Sequence, residues 1–243
     1  MKAEQLQLAL RPRPAYEAVD LGVRMTQCGA RSLIRAYLPF AVVLVLACGA
    51  TIEIEPWLPS TLLWWLKPWL DRTLLHVYAR QAFGEETRLG DALAARRDAP
   101  WLTMLRWLTI WRLSFWRAYS MPVSQLEGQV GRARRQRVKA ILRAHRGSAM
   151  TAQGMFSWIE FFLMAAIASL LPWMVPGLRD MTAVRWLFGG DLGANAVLYA
   201  AHAMAVLFVE PFFVASGFAM YLNRRVELEA WDVEQDLRHA FAH

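Results

Sequence analysis

Apolar residues gather into four long blocks, and the polar stretches between them decide how those blocks are used. The first runs from about Ala36 to Ile52 around PFAVVLVLACGA and, with flanking residues, approaches the ~20 apolar positions needed to cross a hydrocarbon core. The second, from Pro56 to about Val77, reads PWLPSTLLWWLKPWLDRTLLHV and is interrupted by Lys67-Pro68 and Asp71-Arg72. The third spans about Met155 to Val175 and the fourth about Ala194 to Tyr221, both mostly Ala, Leu, Val, Met and Phe. The predicted fold is all-α: a polytopic membrane protein with four transmembrane helices plus amphipathic cytoplasmic or interfacial helices. Its segments divide as an N-terminal piece (1–35), a transmembrane hairpin (36–80), a helical cytoplasmic or interfacial region (81–153), a second hairpin (154–222) and an acidic C-terminal helix (223–243).

The segments outside the blocks carry helical periodicity of their own. In Trp101–Tyr119, residues Met104, Leu108, Trp111 and Phe115 recur on one face while Thr103, Arg106 and Arg117 fall opposite and Arg112 sits at the edge. An acid-free helix of this kind suits the membrane interface, or packing on the spans. Gly131–Arg146 holds Arg132, Arg134, Arg135, Arg137, Lys139, Arg143 and Arg146 with no acid, a pattern that attracts anionic lipid headgroups by about 1 kcal/mol per residue. A solvated loop without a specific ligand is the alternative. After the fourth block, Leu222, Val226, Ala230, Val233, Leu237 and Phe241 form a stripe beside Glu227, Glu229, Asp232, Glu234 and Asp236. This acidic helix is expected to dock beside 131–146, or onto another protein.

Composition and charge sharpen the picture. Of 243 residues, 56% are hydrophobic and 19% charged, more apolar than the ~45–50% of soluble domains, and the 12 Trp fit interfacial anchoring. The stretch before the first block and the one between the second and third are Arg-rich, whereas Thr51–Glu55 has no basic residue and Pro176–Gly193 only Arg179 and Arg185. Positive loops stay inside, so both termini are expected in the cytoplasm of a bacterial inner-membrane protein. Residues 1–31 contain no apolar run of leader length, so the N-terminus is expected to be retained. Two Cys, Cys28 and Cys48, build no disulfide framework, and no Cys/His spacing resembles a metal site. Nucleic acid is not an expected partner, because 123–152 contains no aromatic ring to stack bases.

Ionisable residues inside spans are costly, about 2.5–3.5 kcal/mol at a helix centre, and they face the bundle interior or a wet cavity. Lys67 and Glu210 lie near the middle of their blocks, at similar depth, where they can form an ion pair. Asp71, one turn after Lys67, competes for the same ammonium, and Glu160, about one turn inside the third block, lies within reach of Arg72. Pro68 and Pro211 each follow one of these charges and free a backbone carbonyl. Two readings stay open: the charges neutralise each other to fix helix register, or the broken helices mark a transport site. His202, alone on an Ala-rich face, reads as a packed histidine.

Catalytic signatures are missing: there is no G-x-S-x-G, no H-E-x-x-H, no phosphate loop and no dinucleotide fingerprint, and Gly189–Gly193 reads as a turn. No catalysis and no cofactor are expected. Four phrases, WWLKPWLDR at 64–72, FGE at 83–85, WRLSFWRAYSMPVSQLEG at 111–128 and EPFFVASGFAMYLNRRVELEAWDVE at 210–234, resemble an uncharacterised family of bacterial inner-membrane proteins. More loosely, the architecture is similar to the membrane domain of some glycerophosphodiester phosphodiesterases, whose catalytic domain has no counterpart here. Members of the resembled family are encoded beside a MoxR-type ATPase and a transglutaminase-like membrane protein, which implies a component of an envelope-associated complex. The resemblance also gives weight to Lys67, Asp71, Arg72, Glu210, Asn223, Arg224, Glu227, Glu229, Trp231 and Asp232, which lie in the matching phrases.

Overall fold

The computed structural model describes residues 12–85, 87–91, 114, 116–174, 189–190 and 192–229, and among them it is all helix. Seven helices follow in order: α1 (Ala15–Cys28), α2 (Ala30–Ala36), α3 (Leu38–Gly49), α4 (Leu58–Ala82), α5 (Arg117–Gln125), α6 (Gly131–Met174) and α7 (Leu192–Glu229). At 1.5 Å per residue the 38 residues of α7 extend about 57 Å, well beyond a ~30 Å hydrocarbon core, so one end of the helix must project from any bilayer it crosses.

Helix α7 is the axis of the molecule. From Phe213 to Asn223 every residue is buried, because α1, α4, α5 and α6 pack around it. Such close packing needs small residues: a Cβ on Gly22 of α1 would lie 2.4 Å from the Cα of Ser216, and one on Gly217 would lie 2.4 Å from the Cβ of Ala118 in α5. Hydrogen bonds fix the register. Asn223 clamps the chain entering α1, accepting from the Arg13 amide and donating to the Arg13 carbonyl, each at 2.8 Å. Tyr78 of α4 shares a 3.0 Å hydrogen bond with Thr26 of α1 and donates to the Pro211 carbonyl of α7 at 3.0 Å.

Among the described residues, two helical segments are long and apolar enough to cross a membrane, His145–Leu170 and Leu192–Glu229, and α2 with α3, bent by 47° at their junction, makes a third when taken as one span. Almost none of the apolar length of His145–Leu170 is covered by other helices: Trp158, Ile159, Phe161 and Phe162 are all exposed. The basic segment and the third block, separate in the sequence reading, are two helical pieces that meet at a kink with no loop between them. Residues from Gly131 run through a break at His145 (φ −120°, ψ 20°) directly into the apolar stretch. Likewise α7 carries on past Tyr221 to Glu229 without a turn, so the acidic segment begins as the end of the fourth block's helix. Residues 101–113, with most of the proposed interfacial helix, lie outside the described residues, as do Trp231 and Asp232.

Candidate functional site

Four helices bring five ionisable side chains into one continuous chain of ion pairs. Helix α4 turns Leu63, Lys67, Leu70, Asp71, Leu74 and Tyr78 inward at i, i+3 and i+4 spacing, so Lys67 and Asp71 reach the interior one turn apart. Asp71 Oδ2 lies 3.0 Å from Arg117 Nε, and Arg117 Nη2 donates to Glu210 Oε1 at 3.0 Å. Glu210 Oε2 meets Lys67 Nζ at 2.7 Å, and Lys67 donates in turn to Glu160 Oε2 at 2.5 Å. His202 Nε2 stands 3.7 Å beyond, from Glu160 Oε1. Signs alternate along the chain, and each cation bridges two carboxylates. The Arg117 guanidinium also sits over the ring of Phe213, 5.4 Å from its centroid.

Several expectations change here. Asp71 does not compete for Lys67; it pairs with Arg117. Glu160 pairs with Lys67, not with Arg72 as the sequence suggests. Arg117 is the largest correction. The sequence periodicity places it on the polar face of an interfacial helix, yet it heads α5 with its side chain 4% exposed. Its burial follows from neutralisation: Asp71 and Glu210, both 1% exposed, would otherwise be carboxylates held by Lys67 alone.

A second cluster lies where α6 begins and α7 ends. Arg137 donates two hydrogen bonds to Glu127, at 2.9 Å from Nε and 3.1 Å from Nη2, and a further one to Glu229. Tyr221 donates to Glu127 at 2.7 Å, Arg225 holds Glu229 at 2.5 Å, and His145 Nε2 lies 3.1 Å from Glu227, which also takes Arg224 at 2.6 Å. The hydrogen bonds from Glu127 and Glu229 outweigh burial and raise the Arg137 guanidinium above its ordinary range. Burial alone pulls Arg134 down to about 10. Arg134 and Arg137 therefore do not join the other basic residues facing outward, as an all-exposed lipid-binding segment would require. The helical repeat turns 134, 137 and the fully buried Ile141 toward the bundle. Arg132, Arg135, Lys139 and Arg143 remain exposed within about 80° of arc, and Arg146 stacks over Trp116 at 4.6 Å.

Among the described residues no group of three or more His, Cys, Asp or Glu could hold a metal ion. Comparison with protein-family models, with curated proteins and with solved structures returned no match. Among the described residues the class is therefore set by the fold itself: all-helical, with two to three helices able to cross a membrane and a chain of ion pairs joining α4, α5, α6 and α7.

Proposed function

We propose that this protein is a four-span bacterial inner-membrane protein, both termini cytoplasmic, that serves without catalysis as a scaffold or component of an envelope-associated complex. The observation that carries the reading is the ion chain Asp71–Arg117–Glu210–Lys67–Glu160. It commits these charges to one another and fixes the register of four helices, a use of buried ion pairs that serves geometry more than reactivity. It also accounts for the fourth span. Helix α4 is 25 residues long, about 37 Å, and turns its charges inward onto partners while Trp64 and Trp65 face out. On this reading the exposed stripe of Arg132, Arg135, Lys139 and Arg143 meets anionic headgroups of the cytoplasmic leaflet, and the uncovered face of α6 at Trp158, Phe161 and Phe162 meets lipid or a neighbouring membrane protein.

The test is purification of the tagged full chain from native membranes in mild detergent with quantitative mass spectrometry. A stoichiometric membrane-associated partner is expected, of the MoxR-type ATPase or transglutaminase-like kind that the resemblance implies; recovery of the chain alone or with lipid only overturns the scaffold. The leaflet contact has its own check. In phosphatidylglycerol nanodiscs, Arg135→Ala with Lys139→Ala retains less co-purifying anionic lipid at unchanged thermal stability. Arg137→Ala, which strips Glu127 and Glu229 of their bidentate partner, costs about 1–3 kcal/mol of stability instead. Equal stability losses in both variants would contradict the division of the basic helix into an outer and an inner face.

A cavity beside Glu160 and His202 favours a second reading, a small transporter or lipid-handling protein. Neutralising Lys67 and Glu210 together separates the two: loss of cellular function in a chain that still inserts and stays stable supports transport, whereas rescue relative to either single substitution supports a structural pair.

A further inference from the structure

Glu160 uses only one of its oxygens fully. Oε2 accepts from Lys67 at 2.5 Å, while Oε1 has, among the described residues, only His202 Nε2 at 3.7 Å, beyond hydrogen-bonding distance. Glu160 and His202 line a cavity of about 240 Å³ together with Lys67, Arg117, Gln153 and Trp64. Gln153 brings a second unmet acceptor, a buried side-chain oxygen that receives no hydrogen bond. The ion chain behind the wall holds two cations against three carboxyl groups, so neither cation is left without an acidic partner.

These observations select a ligand by its chemistry. An anion finds no open partner, because both cations on the wall are already engaged by carboxylates. A bare metal ion would need several strong ligands, and no group of three or more His, Cys, Asp or Glu able to hold one exists among the described residues. A cation that donates hydrogen bonds satisfies both acceptors and the charge at once. The volume equals roughly eight waters at ~30 Å³ each, room for an ammonium with a few carbons. Trp64 and Phe161, both partly exposed and both on the cavity wall, offer aromatic faces to such a cation.

We propose that this cavity binds a small primary ammonium, whose N–H groups donate to Glu160 Oε1 and Gln153 Oε1 with its charge set against the Glu160 carboxylate. The proposal goes beyond the scaffold reading and does not depend on it. An ammonium of this chemistry reaches the site as a free small amine or on an ethanolamine lipid headgroup.

The experiment is equilibrium binding to the full chain in phosphatidylcholine nanodiscs at pH 7, with methylammonium and ethanolamine as probes, tetramethylammonium as a cation lacking N–H, and acetate as an anion. Saturable binding of one primary amine per chain is expected, with tetramethylammonium at least tenfold weaker and acetate silent. Gln153→Leu, which touches none of the ion pairs, weakens methylammonium at least tenfold, and so does Glu160→Gln if that variant folds. Displacement of methylammonium by phosphatidylethanolamine added to the nanodiscs assigns the lipid headgroup as the source, and its failure assigns the free amine. Absence of saturable primary-amine binding, equal affinity for tetramethylammonium, or unchanged affinity in Gln153→Leu overturns the proposal.

Discussion

Arg117→Met lowers the stability of the folded chain by about 3–5 kcal/mol, the cost of leaving buried charge without its partner. The guanidinium is 4% exposed and lies 3.0 Å from both Asp71 and Glu210, each 1% exposed, so neither carboxylate can turn to water when it is lost. Two cations facing three carboxylates become one facing three. The companion variant decides the mechanism. Arg117→Met with Asp71→Asn removes the acidic partner together with the cation, keeps the Lys67 bridge between Glu210 and Glu160, and recovers most of the loss. Thermal unfolding of the detergent-solubilised chain, followed by size-exclusion chromatography, measures both. Should Arg117→Met unfold within a degree or two of the wild type, or should the double variant be no better than the single one, the ion chain is not what holds α4, α5 and α7 in register.

How far the sequence carries this arrangement depends on which residue is asked about. Lys67 and Glu210 reveal themselves because a charge inside an apolar block must find a partner, and equal depth from the block ends points each at the other. Glu229 and Arg137 meet, as opposite charge blocks at one end of the bundle are expected to. Arg117 stays hidden because local periodicity extends one stripe from Trp101 to Tyr119, whereas the described chain starts a separate helix at Arg117. Helix α6 is illegible for a different reason. Gly147 and Gly154 lower helix propensity and invite a break, yet the axis bends at His145, whose ring lies 3.1 Å from Glu227, so a tertiary contact set the hinge. The mean hydropathy of α4 also hides its two faces, because averaging along the helix discards the fact that Lys67 and Asp71 share one buried face.

Gly22→Ala is expected to cost about 1–3 kcal/mol by prising α1 off α7, although alanine is the better helix former. The obstruction is backbone, not side chain: the added Cβ would lie 2.4 Å from Ser216 Cα and 2.5 Å from Ser216 N. No rotamer relieves that contact, so Ser216→Ala in the same chain brings no rescue. Gly217→Ala meets the same limit on another side of α7, at 2.7 Å from the Ala118 carbonyl carbon. Gly147→Ala and Gly154→Ala serve as controls, since nothing lies within 4 Å of a Cβ at either position, and each is expected to be neutral or stabilising by up to about 1 kcal/mol. Hydrogen exchange adds a local readout, because losing the α1 contact also breaks the Arg13–Asn223 clamp and the Thr26–Tyr78 hydrogen bond. Amides of 15–28 should therefore exchange faster in Gly22→Ala while those of α4 and α7 around Lys67 and Glu210 keep their protection. Equal protection of α1 in both chains, or a Gly22→Ala variant as stable as the Gly147→Ala control, would mean that α1 does not press on α7 at this distance.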